Sequence, residues 1–196
     1  ETWWANHGLA GFRAQATGIM YEFARSEDAI TRGQLQGFLT AFATIGALLL
    51  AIFRSLRLAV VAMVPNVVPL GVAFGAMGFM GVPLDAGTVV VGSLALGIAV
   101  DDTMHLVEGY VRERAAGKSS ETALLETLER SLPAICFTTV VIAIGFLVLG
   151  LSGFTLTRNL GLTTSALMVL CLAAELFLLP PLIVHHLGTA NFEKPD

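Results

Sequence analysis

The charges in this chain leave long gaps. Residues 33–53, 58–84, 86–100, 131–157 and 159–174 hold no Asp, Glu, Lys or Arg, and 176–192 hold only two His. A helix needs about 20 mainly apolar residues to cross the hydrocarbon core of a bilayer. Five such helices fit, at about 34–53, 58–80, 86–110, 133–152 and 159–184. Composition agrees: 55% of the 196 residues are apolar and 13% charged, where a soluble domain carries roughly 25% charged residues. This excludes a disordered chain, a collagen-like chain and an ordinary soluble domain. With 11 Lys+Arg against 15 Asp+Glu and no basic tract, no nucleic-acid partner is expected. The reading is an all-α membrane protein with five transmembrane helices and a short extracytoplasmic N-terminal segment.

The links between the spans set the topology. Arg54-Ser55-Leu56-Arg57 is short enough to force an antiparallel hairpin, and Gly81-Val82-Pro83-Leu84-Asp85 breaks the chain into a turn. Basic residues in short loops mark the cytoplasmic side. Arg54 and Arg57, then Arg112, Arg114, Lys118 and Arg130, then Lys194 all fall on one side of the alternation. Of the turns on the other side, 81–85 has no basic residue and 153–158 has one, Arg158. The 54–57 link, the 111–132 connector and the 187–196 tail are therefore expected in the cytoplasm, and residues 1–33 outside it. That head holds seven charges and two Trp. It is too short for a core of its own, and reads as the end of an extracytoplasmic domain with a lead-in helix from Gly18 to Thr31. The chain begins at Glu1 and shows no signal-peptide pattern, so it reads as the C-terminal piece of a longer protein or a processed form. In the connector, Ser119 or Ser120 is a candidate N-cap with Glu121 in the first turn. Leu124, Leu125, Leu128 and Leu132 follow at helical spacing. An amphipathic helix on the membrane face and a short solvated helix packed on loops fit this pattern equally well.

Asp101 and Asp102 are the residues that the spans do not explain. They lie in the cytoplasmic half of the third helix, in Gly97-Ile98-Ala99-Val100-Asp101-Asp102-Thr103-Met104-His105. An Asp at mid-bilayer costs ~2.5–3.5 kcal/mol on the insertion scale, and such residues face a bundle interior, a cavity or a partner. Taking up a proton relieves that cost, and a carboxyl that gains and loses a proton readily is a proton carrier. Neighbours on a helix point about 100° apart. Asp101 shares its face with Gly97, His105 and Glu108, and Asp102 with Ala95, Ile98 and Gly109. The more polar face makes Asp101 the main candidate carrier, with Asp102 as a second carboxyl, a hydrogen-bond partner or a proton exit. His105 belongs to the same face. Thr138 and Thr139, near the cytoplasmic end of the fourth helix, match Asp101 in depth and could complete the relay, unless they bond their own preceding turn. Small residues around the pair, Gly92 and Gly97 among them, point to close helix packing. Glu175, deep in the last helix, could snorkel, pair with another helix or be protonated. Asn66, between Pro65 and Pro69, marks a place where freed carbonyls need partners. His105 and Glu108 alone make a weak metal pair, so no metal and no cofactor are expected. Cys136 and Cys171 read as small core residues.

Three passages together resemble a known family. Ile30-Thr31-Arg32-Gly33-Gln34-Leu35 precedes the first helix. The Asp101 passage is similar to a Gly-x-x-x-Asp-(Tyr/Asp) motif. Leu132-Pro133-Ala134-Ile135-Cys136-Phe137-Thr138-Thr139, with Ile144-Gly145-Phe146, is similar to an eleventh helix. Over residues 30–186 the chain resembles the C-terminal membrane half of the resistance-nodulation-division superfamily. Its nearest likeness is to the MMPL-type and hopanoid-type exporters, related to sterol-sensing-domain proteins. The resemblance implies the eighth to twelfth helices of a twelve-helix transporter in a bacterial inner membrane. It further implies a porter domain ending in residues 1–33, and a missing N-terminal half with a second acidic motif. In that family proton passage drives export, and Asp101 stands at the essential carboxyl. Many members have Tyr where this chain has Asp102, which leaves the second position's role open. The Lys that drug exporters carry in this helix is absent, which favours lipids or other hydrophobic molecules as cargo.

Proton-driven lipid export, with no enzymatic activity, is the leading expectation. Its partners would be the N-terminal half, membrane lipids, a hydrophobic substrate and a possible second copy of the chain. A lipid-sensing module without transport is the alternative. An intramembrane aspartyl protease fits poorly, because such enzymes oppose two Asp on different helices and these two are neighbours on one.

Overall fold

In a computed structural model of the chain, residues 17–81 and 86–187 are described. They form six helices: α1 (Ile19–Phe53), α2 (Leu56–Phe79), α3 (Ala86–Ala115), α4 (Ser120–Leu149), α5 (Thr155–Phe177) and α6 (Leu179–Leu187). No strand occurs among the described residues. Five segments are long and apolar enough to cross a membrane, with α5 and α6 together making the last. The chain is thus an all-α, multi-pass membrane protein. Residues 1–16 of the head, the turn after Gly81 and the tail beyond Leu187 lie outside the described residues.

The helices differ from the expected spans at their ends, for local reasons. The lead-in and the first span are one continuous helix of 35 residues, because nothing between Ile19 and Phe53 breaks it. It ends where Arg54 takes a left-handed conformation (φ 48°) and its N–H bonds Leu50 O. Ser55 then caps α2, its side chain accepting from Leu58 N. Two residues thus reverse the chain. Similarly, the connector helix and the fourth span are one helix, α4, capped by Ser119 Oγ accepting from Thr122 N at 3.2 Å. Pro133 sits within it without ending it. The last span does break, at Leu178. Pro180 and Pro181 have no N–H to give the preceding turn, yet they fit the first turn of α6, where that N–H has no partner anyway.

At the centre lies α3, which packs against α1, α2, α4 and α5. Two apolar clusters hold the bundle. One, at the end carrying the 54–57 link, gathers Leu58, Ala62, Leu106, Val107, Tyr110, Leu179 and Ile183 among others. The second gathers Leu70, Val91, Ala95, Leu96, Ala99, Leu167, Met168 and Cys171. By contrast, α1 buries only Leu49, and the outer side of α4 exposes Phe137, Val140, Val141, Ile144 and Val148. Apolar faces on that scale suit hydrocarbon or another helix, not water.

Small residues set two close crossings. A methyl at Gly161 would lie 2.6 Å from Phe146 O and 2.7 Å from Leu149 Cβ, so α4 and α5 touch backbone to backbone. At Gly109 a methyl would lie 2.6 Å from the Thr127 methyl. Gly92 faces Phe74 in the same way, whereas Gly97 has open space beside it. The expectation of close packing around the acids therefore holds at Gly92 and not at Gly97.

Charge closes the elbow between α3 and α4. The Glu113 carboxylate accepts from Lys118 Nζ at 2.8 Å and Arg130 Nη1 at 3.2 Å. Lys118 also bonds Glu126. Tyr110 and Ser120 hydroxyls meet at 2.9 Å, and Arg114 Nη1 donates to Lys118 O at 2.7 Å. The hydrogen bonds to Glu113, then Glu126, hold the Lys118 ammonium charged above the ordinary lysine range.

Two outcomes follow. Gly161→Ala should destabilise the bundle by about 1–3 kcal/mol through overpacking, seen as a lowered midpoint of thermal unfolding in detergent; an unchanged midpoint would contradict the backbone contact. Because Lys118 is held charged by the fold, its contribution is complete below the ordinary lysine range and lost as pH rises through its raised value. Lys118→Met should therefore flatten the alkaline limb of the stability–pH curve, and also the acid limb, because the Lys118 hydrogen bond is what chiefly holds the Glu113 carboxyl below its ordinary range.

Candidate functional site

Between α3 and α4 a cavity of about 360 Å³ is lined by Asp101, Asp102, His105, Glu108, Gly109, Arg112, Ser131, Ala134, Ile135 and Thr138. Helical spacing explains the α3 wall: positions 101, 105, 108 and 112 recur on one face. Both Asp reach the cavity but are held differently. The Asp101 side chain is 76% exposed, and its Oδ1 lies 3.8 Å from His105 Nε2, one turn along. This is an ion-pair distance rather than a hydrogen bond. Asp102 is half-buried, turned toward the bundle.

The two threonines separate. Thr138 lines the cavity, but its hydroxyl sits 3.1 Å from Ala134 O and 3.0 Å from Ile135 O. It bonds its own helix, the local alternative open to any helical Thr. Thr139 is buried and is not part of the cavity wall. Of the five residues singled out, the cavity brings together Asp101, Asp102, His105 and Thr138. Among the described residues no cluster of three or more His, Cys, Asp or Glu is placed to hold a metal ion. Cys136 and Cys171 are both free thiols.

A second polar group escaped the sequence reading as a unit. Asn66 on α2, Thr103 on α3 and Glu175 on α5 are each at most 2% exposed. Asn66 Nδ2 donates to Ala62 O at 2.7 Å and to Thr103 Oγ1 at 3.1 Å. Thr103 Oγ1 lies 3.0 Å from Ala99 O and 3.1 Å from Glu175 Oε1. So Glu175 neither snorkels nor meets a cation; it bonds across helices. The carbonyls that Pro65 and Pro69 free are those of Val61 and Pro65, so the Ala62 carbonyl to which Asn66 donates is not one of them. The signal that could have joined the three is depth. Each lies ten to twelve residues, roughly 15–18 Å at helical rise, from the same end of the bundle.

Thr103→Val removes the hub of this group and strands two buried polar partners. A loss of about 1–3 kcal/mol is expected, measured by thermal unfolding in detergent, with Thr103→Ser close to the unaltered protein. Equal stability of the Val and Ser variants would show that the hydroxyl contributes nothing.

Comparison with known proteins places this geometry. A profile of the MMPL family matches residues 5–196, nearly the whole chain. A curated membrane protein of the archaeon Methanocaldococcus jannaschii is 36% identical over 155 residues, which is 76% of this chain and 39% of the relative. The chain thus spans about two fifths of the length of that relative. Five apolar helices agree with the profile match: this chain belongs to the MMPL family of transporter-type membrane proteins, whose members are in general not enzymes.

Proposed function

We propose that this chain is part of a proton-motive-force-driven exporter of lipids or other hydrophobic molecules. In this reading it lies in the cell membrane with the Arg54–Arg57 side in the cytoplasm. The observation that carries it is the acidic cavity between α3 and α4. Two adjacent carboxyls at intramembrane depth are costly unless they exchange protons or pair, and here the more exposed one has an imidazole one turn away. Asp101 is the carrier that meets incoming protons, with His105 as its exchange partner. Asp102 passes charge between the cavity and the bundle interior. Thr138 supplies a hydroxyl to the cavity wall and Thr139 supports α4 behind it. A second half-bundle, facing the exposed side of Asp101, would close the relay. The absence of a Lys from α3 and the wide apolar outer faces favour a hydrophobic cargo.

Asn matches Asp in shape but carries no exchangeable carboxyl proton. In the full-length protein, Asp101→Asn should reduce proton-dependent export by on the order of a hundredfold, the scale of a positioned proton-transfer group. Membrane insertion should be unaffected. Asp102→Asn should give a smaller loss. Undiminished proton-coupled export in Asp101→Asn would overturn the relay. Absence of any pH-dependent carboxyl band in infrared spectra between pH 4 and 9 would favour a lipid-sensing module.

A further inference from the structure

The buried layer of Asn66, Thr103 and Glu175 has a proton count that does not close. Its donors are the two N–H of Asn66 and the one O–H of Thr103. Its acceptors are Ala62 O, Ala99 O, Thr103 Oγ1, Glu175 Oε1 and Asn66 Oδ1, the last buried with no hydrogen-bond partner among the described residues. The two carbonyls lie inside helices, where backbone N–H groups already serve them; with one Asn66 N–H spent on Ala62 O, two donors remain for the three side-chain oxygens, and Asn66 Oδ1 goes without. Thr103 Oγ1 makes the shortage specific. It accepts from Asn66 and has a single proton for two neighbours, Ala99 O and Glu175 Oε1.

Each charge state of Glu175 resolves this differently. With an ionised carboxylate, the Thr103 proton points at Glu175 Oε1 and leaves Ala99 O to its backbone partner. With a protonated carboxyl, the proton on Glu175 points at the second lone pair of Thr103 Oγ1, and the Thr103 proton turns to Ala99 O. Both arrangements use the same atoms at the same distances. No helix has to move, because only the hydroxyl reverses.

We infer that Glu175 is a second proton-binding site of this bundle, with the Thr103 hydroxyl as the reversing link that joins it to the acidic pair on α3. The inference rests on the relay reading proposed above and extends it. Thr103 follows Asp102 in the chain, so the hydroxyl that meets Glu175 Oε1 at 3.1 Å sits one residue from the acidic pair. Among the described residues no cation is ion-paired with Glu175, and the ionisable groups of α3 nearest Thr103, namely Asp101, Asp102, His105 and Glu108, line the α3–α4 cavity. On α5 itself, Cys171 lies one turn before Glu175 and Arg158 is near the far end of the helix. From α2 the facing group is the neutral Asn66, and Arg57 is at the helix start. The charges of α4 lie at Glu121, Glu126, Glu129 and Arg130 in its first turns, and α6 carries His185 and His186 near its end.

The test uses infrared difference spectra of the full-length protein in membranes, recorded against pH, beside export assays. The expected result is two titrating carboxyl signals. Glu175→Gln should remove one, while the Asp101→Asn/Asp102→Asn double variant should remove the other and retain the Glu175 signal. Thr103→Val should displace the Glu175 band, because its hydrogen-bond partner is gone, and Thr103→Ser should retain it. Spectra of Glu175→Gln superimposing on those of the unaltered protein would overturn the inference, even with export abolished in the double variant; the relay would then stand without this site. Loss of the band in Glu175→Gln together with normal export in the double variant would support the proton site and sink the relay through Asp101 and Asp102. If Glu175→Gln does not insert, Thr103→Val decides: an undisplaced band overturns the link.

Discussion

Hydrocarbon does not distinguish one apolar helix face from another, so apolar packing alone leaves register and rotation loosely set in a membrane. The layer formed by Asn66, Thr103 and Glu175 supplies what is missing. It lies between the two apolar clusters: Ala62 and Leu70 flank Asn66 on α2, Ala99 and Leu106 flank Thr103 on α3, and Cys171 on α5 and Leu179 at the start of α6 flank Glu175. Sliding any one helix by a turn would strand a buried polar atom where no water can replace its partner. Fixing Thr103 also fixes Asp102 beside it, and Asp101 one position further round the helix. The half-buried and exposed placements of the two acids follow from that register.

The elbow completes the constraint from outside the bundle. Glu113, close to the end of α3, draws in Lys118 and Arg130, and Lys118 reaches on to Glu126. One carboxylate facing two cations at 2.8 and 3.2 Å holds more firmly than isolated surface pairs, most of which contribute little. The α4 wall of the cavity is therefore held by charge at the elbow, while the α3 wall is held by hydrogen bonds at mid-depth.

Much of this was legible in residue order. Charge gaps gave the five spans, and Asp101, Asp102 and His105 stood out because carboxyls in an apolar run demand an explanation. Helix ends were less legible. Continuity from Ile19 to Phe53 and from Ser120 to Leu149 depends on the absence of a breaker, which polarity does not report. Thr138 shows a further limit: a hydroxyl's spacing states its depth but not whether it bonds a neighbour or its own backbone. Asn66 and Glu175 drew notice singly. Their union through Thr103 needs the helix rotations, which come from packing and are not written in any one segment.

The contact of Gly109 with Thr127 has a mechanical consequence. It lies at the elbow end of the acidic cavity, where a methyl on Gly109 would meet the Thr127 methyl at 2.6 Å, and the Thr127 hydroxyl is tied to Ala123 O at 2.7 Å. A rigid contact at one end of a cleft is a fulcrum. The Asp101 carboxylate lies eight residues along α3 from it, a lever arm of roughly 12 Å at helical rise. A rocking of α4 by a few degrees about that point would displace its elbow end at Ser120, seven residues from Thr127, less than Thr138, eleven residues the other way. It would widen the jaw most at its far end, where Asp101 and Thr138 face each other.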